Sequence, residues 1–171
     1  MGLKIMKKLN FGCGNGIMPG WDNVDVQVGE KLTKSFNFNK FPYPLKENSY
    51  NYIYSRNVLE HVEEPDKVIN ELWRISVRGG HIKIIVPHYT NKGAYSDLQH
   101  RHFFNEICFK ILEDIKLGKR IDETPMFRIK KLNLVPSVIG KFMPKKLREK
   151  LALFINGLIS EIEVELIVIK N

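Results

Sequence analysis

The sequence predicts an α/β fold in which helices and loops cover the faces of a mostly parallel β-sheet. Apolar, strand-like segments alternate with helical patterns along the 171 residues. A glycine-rich turn, "LNFGCGNG", follows the first of these strands, and an acidic residue, Asp25, lies near the end of the next. Sheets of this kind bind ligands beyond the carboxyl ends of their strands. The glycine turn and the acid are therefore expected to lie at one site.

Seven segments have the apolar alternation, or the β-branched and aromatic content, that is typical of strands. They span residues 4–11, 23–28, 34–39, 50–55, 81–87, 127–135 and 161–170. The sequence thus predicts a sheet of about six to seven strands whose last strand is antiparallel. The loops after residues 11, 26, 38, 55 and 87 are expected to line the site.

Three segments are predicted to be helices. The first spans residues 64–78, where Pro65 suits the first turn and Gly79-Gly80 is expected to end the helix. Its apolar residues share one stripe: Val68, Ile69, Leu72, Trp73 and Ile75. The second and third helices are predicted at residues 105–117 and 144–158, the latter beginning at Pro144.

The connection between the first two strands is too short for the usual helix. Only Ile17–Asp22 separates Gly16 from Asn23, whereas a stable helix needs about three turns. A dinucleotide fingerprint would also need a third glycine where Ile17 stands, at the start of a helix that faces the pyrophosphate. The pattern therefore argues against a pyrophosphate ligand and is compatible with a nucleoside that carries no phosphate.

The composition predicts one globular domain over residues 1–171, with 43% hydrophobic and 27% charged residues. No apolar run reaches the ~20 residues of a membrane span, and the first residues lack the features of a signal peptide. Two cysteines, Cys13 and Cys108, do not form a disulfide framework. A cytoplasmic protein is therefore expected.

The net charge of +8 is concentrated in residues 110–150, which hold 12 Lys/Arg against 5 Asp/Glu. This excess is compatible with an anionic substrate, nucleic acid, an anionic membrane or simply a solvated lysine-rich face. The segment "GKFMPKKLREKLALFINGLI" is basic at its start and apolar afterwards. It could lie on a membrane or grip a lipid-linked acceptor, but covering one face of the sheet is the favoured interpretation.

Four segments in register resemble the class I S-adenosylmethionine-dependent methyltransferases, in particular the small single-domain type 11 group. They are "LNFGCGNG", "NVDV", "FNFNKFPYPLKENSYNYIYSRNVLEHV" and "VINELWRISVRGGHIKIIVPH", within residues 7–105. The resemblance implies a Rossmann-like three-layer sandwich. It also implies S-adenosylmethionine as cofactor and S-adenosylhomocysteine as product.

The resemblance further implies which residues bind the cofactor. The backbone of Gly12, Cys13 and Gly14 would pass over its methionine and ribose parts, and Asp25, beside Val26, would hold the ribose hydroxyls. Asn37 and Phe38 would lie beside the adenine. Ser55, Arg56, Asn57 and His61 would face the cofactor. Asn10 stands where the family usually has an acid that receives the cofactor's amino group, and Glu60 is equally explained as an acid near a helix start.

The loop "PHYTNKGAYSDLQHRHFFN" carries the candidate acceptor-binding and catalytic residues. His88, His100 and His102 are candidate general bases. Tyr89, Tyr95 and Arg101 are candidate acceptor-binding residues, Arg101 as the partner of an anion. The same histidines could instead bond loop carbonyls, and a metal site is disfavoured because no cysteine or second closely spaced pair supports it.

The predicted function is therefore methyl transfer to a small-molecule or saccharide-type acceptor that could be anionic. The alternative is a non-catalytic binding module of the same fold whose basic segment contacts nucleic acid or a protein. The neutral Asn10 motivates that alternative. A nicotinamide-dependent oxidoreductase is disfavoured by Ile17 and the short connection, and the oligomeric state is left open.

Overall fold

The sheet of the computed structural model contains seven strands, and the structure describes residues 6–113 and 126–170. The strands are β1 (Lys8–Phe11), β2 (Asp22–Asp25), β3 (Lys34–Ser35), β4 (Tyr50–Arg56), β5 (Ser76–Pro87), β6 (Phe127–Pro136) and β7 (Ile159–Val168). Their order in the sheet is β3-β2-β1-β4-β5-β7-β6. All neighbouring pairs are parallel except those of β7 with β5 and β6, which confirms the predicted Rossmann-like fold and its antiparallel last strand.

The strand order reverses between β1 and β4. From β1 the chain proceeds outward to β2 and β3, whereas β4 starts the other half of the sheet, and Phe11 pairs with Ser55 across the boundary. A ligand crevice is expected beyond the carboxyl ends of the two strands at such a reversal. The loops that begin at Gly12 and Asn57 therefore border this crevice.

Several strands and helices are shorter than predicted. Strand β2 ends at Asp25 and β3 at Ser35, so the predicted continuations to residues 28 and 39 are wrong. The third helix, α3 (Lys145–Leu151), ends seven residues before the predicted boundary at 158. The second, α2 (Glu106–Lys110), is followed by a turn, and residues 114–117 of that prediction lie outside the described residues.

The first helix, α1 (Pro65–Ile75), begins at Pro65 as predicted but is not ended by the Gly79-Gly80 pair. It ends at Ile75, because Ser76 adopts extended backbone while its hydroxyl donates to the Leu72 carbonyl at 2.7 Å. Residues 77–80 instead form an irregularity in β5, since Ser76 pairs with Tyr50 and His81 with Tyr52. Val68, Ile69, Leu72 and Ile75 of α1 are buried against the sheet.

No helix lies between β1 and β2, as the sequence predicts, and the side chain of Asn23 holds the loop that replaces it. The Asn23 Oδ1 accepts from the Met18 N–H at 2.9 Å and from the Asn10 Nδ2 at 2.9 Å. The Asn23 Nδ2 donates to the carbonyls of Met18 and Trp21, both at 3.0 Å. Both asparagines are buried. One side-chain amide therefore satisfies the polar backbone of a loop that has no helical hydrogen bonds of its own.

The connection from β3 to β4 covers the sheet with aromatic rings rather than with a helix. Phe38 stacks on Phe11 with ring centroids 4.1 Å apart, and Tyr43 donates its hydroxyl to the Phe38 carbonyl at 2.9 Å. Glu71 and Arg74 of α1 hold the loop, because Glu71 accepts from the Tyr43 N–H and Arg74 donates to the Tyr43 carbonyl. Within the described part of the chain, no helix has the length and apolarity needed to cross a membrane.

We expect Asn23→Ala to lower the free energy of unfolding by about 2–4 kcal/mol, measured by urea denaturation. The substitution removes four side-chain hydrogen bonds and leaves the partly buried backbone groups of Met18 and Trp21 without these partners, each costing about 1 kcal/mol. Asn156→Ala, at an exposed position, is the control and should change stability by less than about 0.5 kcal/mol. A loss below about 1 kcal/mol for Asn23→Ala would show that the amide does not hold the loop.

Candidate active site

The glycine loop after β1 is folded back onto the end of β2. The N–H groups of Gly12 and Cys13 both donate to the Val24 carbonyl, at 2.9 and 3.1 Å. Gly12 and Gly14 have φ values of +71° and +48°, a region that favours glycine. A side chain at Gly12 would also collide with Val58, whose Cγ2 lies 2.1 Å from the position that a Cβ would take. The loop after β4 is therefore packed directly against the glycine loop.

Asp25 lies at the end of β2 beside this loop. One of its carboxylate oxygens accepts from the Gly14 N–H at 2.7 Å, and the other accepts from the Gln27 N–H at 3.1 Å. A Cβ added at Gly14 would meet no atom within 4 Å, so the space next to this carboxylate is open. Burial and the charge of Asp25 raise the pKa of the neighbouring Cys13 thiol, which disfavours the thiolate form.

Asn10 faces the short loop between β1 and β2. Besides its bond to Asn23, its Nδ2 donates to the Gly16 carbonyl at 2.8 Å. Gly16 is not among the positive-φ glycines; it fixes the turn through this carbonyl and through its N–H, which donates to the Cys13 carbonyl at 2.7 Å. The amide of Asn10 thus stabilises the glycine loop by donating to backbone, which an acid at this position could not do.

The two residues predicted to lie beside the adenine, Asn37 and Phe38, differ in exposure to solvent. Phe38 is buried in the aromatic core, so its ring is not available to a ligand. Asn37 is exposed, and its Oδ1 caps the following turn by accepting from the Asn39 N–H at 2.8 Å. Val26 is exposed immediately after Asp25. This side of the crevice can therefore offer a ligand the Asn37 amide, the Val26 side chain and backbone, but not the Phe38 ring.

The residues that end β4 have different environments. Ser55 is buried, and its Oγ has no hydrogen-bond partner among the described residues. Asn57 begins the next loop with a φ of +53° and donates its N–H to the Ile85 carbonyl. Arg56 was expected to face the cofactor, but its guanidinium instead forms an ion pair with Glu161 of β7 at 2.6 Å. The contact of Arg56 with the cofactor therefore stays a prediction, and it would require the guanidinium to be shared with or released from Glu161.

Glu60 is the centre of the loop contacts after β4. Its side chain is 1% exposed, and neither carboxylate oxygen has a hydrogen-bond partner within the described ranges. Burial raises the pKa of Glu60 from its ordinary value of 4.5 to about 7. Its backbone carbonyl accepts from the N–H groups of Arg101 and His102, at 2.7 and 3.3 Å. The residue is therefore not a cap of α1, as the sequence allowed, but the anchor of the 88–105 loop.

His61 and His100 lie beside the Glu60 carboxyl group. The two imidazoles meet edge to face with centroids 4.6 Å apart. One imidazole nitrogen of each histidine and one carboxylate oxygen of Glu60 lie within 4.8 Å of one another. The Nδ1 of His100 is 2.8 Å from the Ala94 carbonyl, which can only accept. The neutral His100 ring therefore carries its proton on Nδ1 and a free lone pair on Nε2. Burial, followed by the His100 charge, lowers the pKa of His61.

The other two loop histidines are less accessible. His88 is buried, its Nδ1 lies 2.7 Å from the Thr90 hydroxyl, and burial lowers its pKa. The Nε2 of His102 is buried without a partner among the described residues, while its ring packs near Phe104. Of the three histidines predicted as bases, only His100 is brought to the Glu60 carboxyl group together with His61.

The predicted acceptor-binding residues lie on the outer part of the loop. Tyr95 is exposed and stacks on Phe103 with centroids 4.5 Å apart, and Tyr89 is partly exposed beside His88. Arg101 is 3.4 Å from the Glu63 carboxylate, so it is already paired. A cleft of about 580 Å³ opens next to Tyr95. It is lined by Thr90, Asn91, Lys92, Tyr95, Ser137, Val138, Ile139, Asn156 and Gly157.

Comparison with known proteins shows a methyltransferase domain in the first half of the chain. Residues 9–84 match the sequence model of the methyltransferase domain family, and this range includes the glycine loop, Asp25 and Glu60. The fold is similar to an S-adenosylmethionine-dependent methyltransferase from Archaeoglobus fulgidus, with a TM-score of 0.64 and 15% identity over 95% of this chain and 86% of that one. Residues 9–84 therefore match the methyltransferase domain family, and the chain as a whole has the fold of the class I S-adenosylmethionine-dependent methyltransferases.

Two other solved methyltransferases have the same fold. The S-adenosylmethionine-dependent methyltransferase from Mesorhizobium loti has a TM-score of 0.60 and 13% identity, over 95% of this chain and 90% of that one. Phosphoethanolamine N-methyltransferase 2 from Haemonchus contortus, solved with S-adenosyl-L-methionine, has a TM-score of 0.63 and 13% identity, over 96% of this methyltransferase and 49% of that chain. No curated protein sequence matches this methyltransferase. At 13–15% identity the similarity to these structures shows the fold only, and it does not identify the methyl acceptor.

Sequence reasoning missed the roles of Asn23 and Glu60. Glu60 stands within an apolar run, between Leu59 and Val62, and an acid so placed is a candidate for burial. The apolar neighbours of Glu60 thus indicate a buried acid, whereas the nearby helix start explains an exposed one equally well. No comparable signal points to Asn23. Three of its four partners are backbone groups of the loop between β1 and β2, the fourth is the Asn10 amide, and the path of that loop is not evident from the sequence.

We expect Glu60→Gln to change how the stability of this methyltransferase depends on pH. Because the pKa of Glu60 is raised in the folded state, its stabilising contribution is complete below pH 4.5 and is lost as the pH rises to about 7. The wild-type free energy of unfolding should therefore fall by about 3 kcal/mol relative to Glu60→Gln across this window. Urea denaturation at pH 4.5, 6 and 8 measures the difference.

Glu30→Gln removes an exposed carboxyl group and is the matched control, whose profile should follow the wild type. Parallel profiles for wild type and Glu60→Gln would contradict the raised pKa.

Proposed function

We propose that this methyltransferase methylates a hydroxyl or amine group of a small-molecule or saccharide-type acceptor, with His100 as general base. The observation that carries the proposal is the position of the half-buried His100 beside the buried Glu60 carboxyl group. The His100 Nδ1 lies 2.8 Å from the Ala94 carbonyl, so the lone pair is on Nε2, which has no hydrogen-bond partner among the described residues. Glu60 and His61 belong to the loop that packs against Gly12 through Val58, and His100 lies beside them; on this ground we assign the cluster to the crevice at the strand reversal. We also propose that residues 1–171 act as one domain and that the protein is cytoplasmic, which its two free cysteines support.

The cofactor would be held by the loops after β1, β2 and β4. The open space at Gly14 and the buried Asp25 carboxylate beside it fit a ribose whose hydroxyls need an acceptor. When bound, the cofactor supplies an electrophilic methyl group on a sulfonium sulfur. Gly12, Cys13 and Gly14 would contact it through backbone. Ser55 is buried at the end of β4, and its contact with the cofactor stays a prediction. Asn57 and His61, in the loop after β4, would contact the cofactor from the same side as Ser55.

Asn10 would contribute indirectly. In place of the family's usual acid, its amide holds the Gly16 carbonyl and Asn23, and thereby the shape of the glycine loop. The loop geometry that a helix would otherwise impose is then supplied by two asparagines. This role supports a catalytic protein over the alternative of a non-catalytic binding module, because it gives the neutral Asn10 a function in the glycine loop.

The acceptor would bind in the cleft beside the 88–105 loop. Its lining combines an exposed aromatic ring, Tyr95, with the amide of Asn156 and the ammonium group of Lys92. Rings and amides of this kind suit the apolar faces and hydroxyls of a saccharide, and Lys92 suits an anionic substituent. Tyr89 and Arg101 would border the same loop, Arg101 becoming available to an anion if it leaves Glu63.

His100 would remove the proton of the acceptor group as its oxygen or nitrogen attacks the methyl carbon. His100 Nε2 would accept this proton, while bound S-adenosylmethionine would supply the methyl group from its sulfonium and leave as a neutral thioether. The imidazolium so formed is stabilised by the neighbouring Glu60 carboxylate. Alignment of the reactants would supply much of the remaining rate, because an in-line displacement depends strongly on proximity.

We expect Asp25→Ala to weaken S-adenosylhomocysteine binding at least tenfold, measured by isothermal titration calorimetry. Hydrogen bonds to a charged acceptor each contribute about 1.5–3 kcal/mol, and a ribose offers two hydroxyls. Asp66→Ala removes an exposed acid from the first turn of α1 and should bind as the wild type does. An unchanged dissociation constant for Asp25→Ala would refute the assignment of Asp25 to the ribose.

The acceptor class can be tested with methyl-labelled S-adenosylmethionine and parallel panels of defined acceptors. We expect label in saccharides or other small molecules, and more in those that carry a negative charge near the accepting group. Transfer RNA, duplex DNA and unfolded protein serve as the competing classes. Label found only in one of these would contradict the proposed acceptor class.

With an acceptor in hand, His100→Gln should lower kcat at least about 100-fold, the usual contribution of a general base. Its dissociation constant for S-adenosylhomocysteine should stay within twofold of the wild type. Gln99→Ala, at the exposed neighbouring position, is the control.

Smaller losses of kcat are expected for His102→Gln, whereas His88→Gln should act mainly on stability because His88 is buried. Loss of activity on adding EDTA would instead indicate a metal site at Glu60, His61 and His100.

A further inference from the structure

The segment between β6 and β7 exposes a concentration of large apolar side chains. Seven of the sixteen exposed large hydrophobic residues described in this structure lie between positions 138 and 155. We call them the outer apolar surface, and they are Val138, Ile139, Phe142, Leu147, Leu153, Phe154 and Ile155. Phe142 and Phe154 are 87% and 82% exposed, more than a solitary surface aromatic usually is.

This exposure is not needed to cover the sheet, because the same segment also has a buried apolar side. Ala152, Leu158 and Ile159 form a second small core, against which Met143 and Leu151 pack. A helix or turn that only covers a sheet needs one apolar face. The expectation that the segment simply lies over the sheet is therefore incomplete, since a second set of apolar residues points outward.

The segment is held in a defined shape. Arg148 is buried within it and donates from Nη1 to the carbonyls of Gly140 and Met143, at 3.2 and 3.3 Å. These bonds tie the Gly140–Phe142 turn to α3. At its end, the Gly157 N–H donates to the Thr90 carbonyl at 2.9 Å, which connects the segment to the 88–105 loop. The outer apolar surface is thus presented by a packed element of the fold.

Basic side chains accompany the outer apolar surface. Lys141, Lys145, Lys146 and Lys150 are exposed within the segment, whereas Glu149 is its one acidic residue. Lys146 and Lys150 are four residues apart, on the exposed side of α3 that also carries Leu147. Exposed aromatic and aliphatic residues interspersed with lysine are the combination that binds the interface of an anionic bilayer.

We propose that the outer apolar surface and its lysines bind this methyltransferase peripherally to anionic phospholipid bilayers. Phe142 and Phe154 would enter the interfacial region of the lipid, and the lysines would contact the anionic headgroups. An anionic bilayer is favoured over a second copy of this chain, because two copies of one lysine-rich surface would repel each other. It is favoured over nucleic acid because nucleic acid offers no apolar phase to Phe142, Leu153 and Phe154.

The position of this surface has a consequence for the acceptor. Val138 and Ile139 belong both to the outer apolar surface and to the lining of the cleft beside Tyr95. A bilayer bound at this surface would therefore lie next to the cleft, where the headgroup of a lipid-linked acceptor could enter. This consequence rests on the proposed function, whereas bilayer binding itself does not.

The test is sedimentation of the full chain with vesicles of phosphatidylcholine alone, or with 30% phosphatidylglycerol, at low and high salt. We expect binding to the anionic vesicles that weakens as the salt concentration rises. The double variants Phe142→Ser/Phe154→Ser and Lys145→Glu/Lys146→Glu should each reduce the partition coefficient at least tenfold. Val28→Ser/Leu98→Ser removes two equally exposed apolar side chains elsewhere, and Lys31→Glu changes an exposed lysine elsewhere. These two controls should bind vesicles as the wild type does.

Three outcomes would overturn the proposal. The first is no binding of the wild type to anionic vesicles. The second is binding that depends on the lysines but not on Phe142 and Phe154, as for a general polyanion. The third is a wild-type dimer in light scattering that Phe142→Ser/Phe154→Ser converts to a monomer, which would assign the surface to a second copy. S-adenosylhomocysteine binding by the same variants should be unchanged, so that failure of this proposal and failure of the proposed function are distinguishable.

Discussion

The buried side-chain amide of Asn23 is the interaction on which the geometry of the cofactor side depends. In the usual arrangement a helix joins the first two strands, and its regular hydrogen bonds fix the glycine loop at its start. Here a loop joins β1 and β2, and its polar groups would be costly to leave unpaired next to a sheet. Asn23 satisfies Met18 and Trp21 and accepts from Asn10. The glycine loop can then return to Val24 and bring Gly14 to Asp25.

A second constraint acts on the acceptor side, at Glu60. Its backbone carbonyl anchors the 88–105 loop, and its carboxyl group lies unpartnered among the described residues beside His61 and His100. A carboxyl group in this position carries a large desolvation cost when charged, and retaining it is understandable if proton transfer takes place there. The contact of Val58 with Gly12 brings the two constraints together. The glycine loop and the cluster of Glu60, His61 and His100 are thereby brought to one edge of the sheet.

Much of the fold could be predicted from the sequence, because the strands and α1 have strong periodic patterns. The same patterns do not fix where an element ends. The first helix ends at Ile75 because the Ser76 hydroxyl bonds to the Leu72 carbonyl, so the glycine pair further on has no part in ending it. Likewise α3 stops at Leu151, where the chain turns to bury Ala152 and Leu158.

The site was predictable to the extent that backbone position decides it. Gly12, Gly14 and Asp25 follow from the ends of strands, and the structure places them together. Side-chain partners were not predictable in the same way. Arg56 pairs with Glu161, which is 105 positions away in the sequence, and Phe38 belongs to an aromatic core that only the folded loop creates. Nor does the sequence separate the outward apolar residues Phe142 and Phe154 from Ala152 and Leu158, which the fold buries in the same segment.

The central claim is that a glycine loop held by asparagines, with no helix behind it, binds a nucleoside sulfonium and not a dinucleotide. Thermal unfolding with and without ligand tests it most directly. S-adenosylhomocysteine at a hundred times its dissociation constant should stabilise the fold by about 2.7 kcal/mol. For a domain of this size the midpoint should rise by roughly 5–10 °C. NAD at the same concentration should leave the midpoint unchanged. A rise with NAD, or none with S-adenosylhomocysteine at any concentration, would contradict the account.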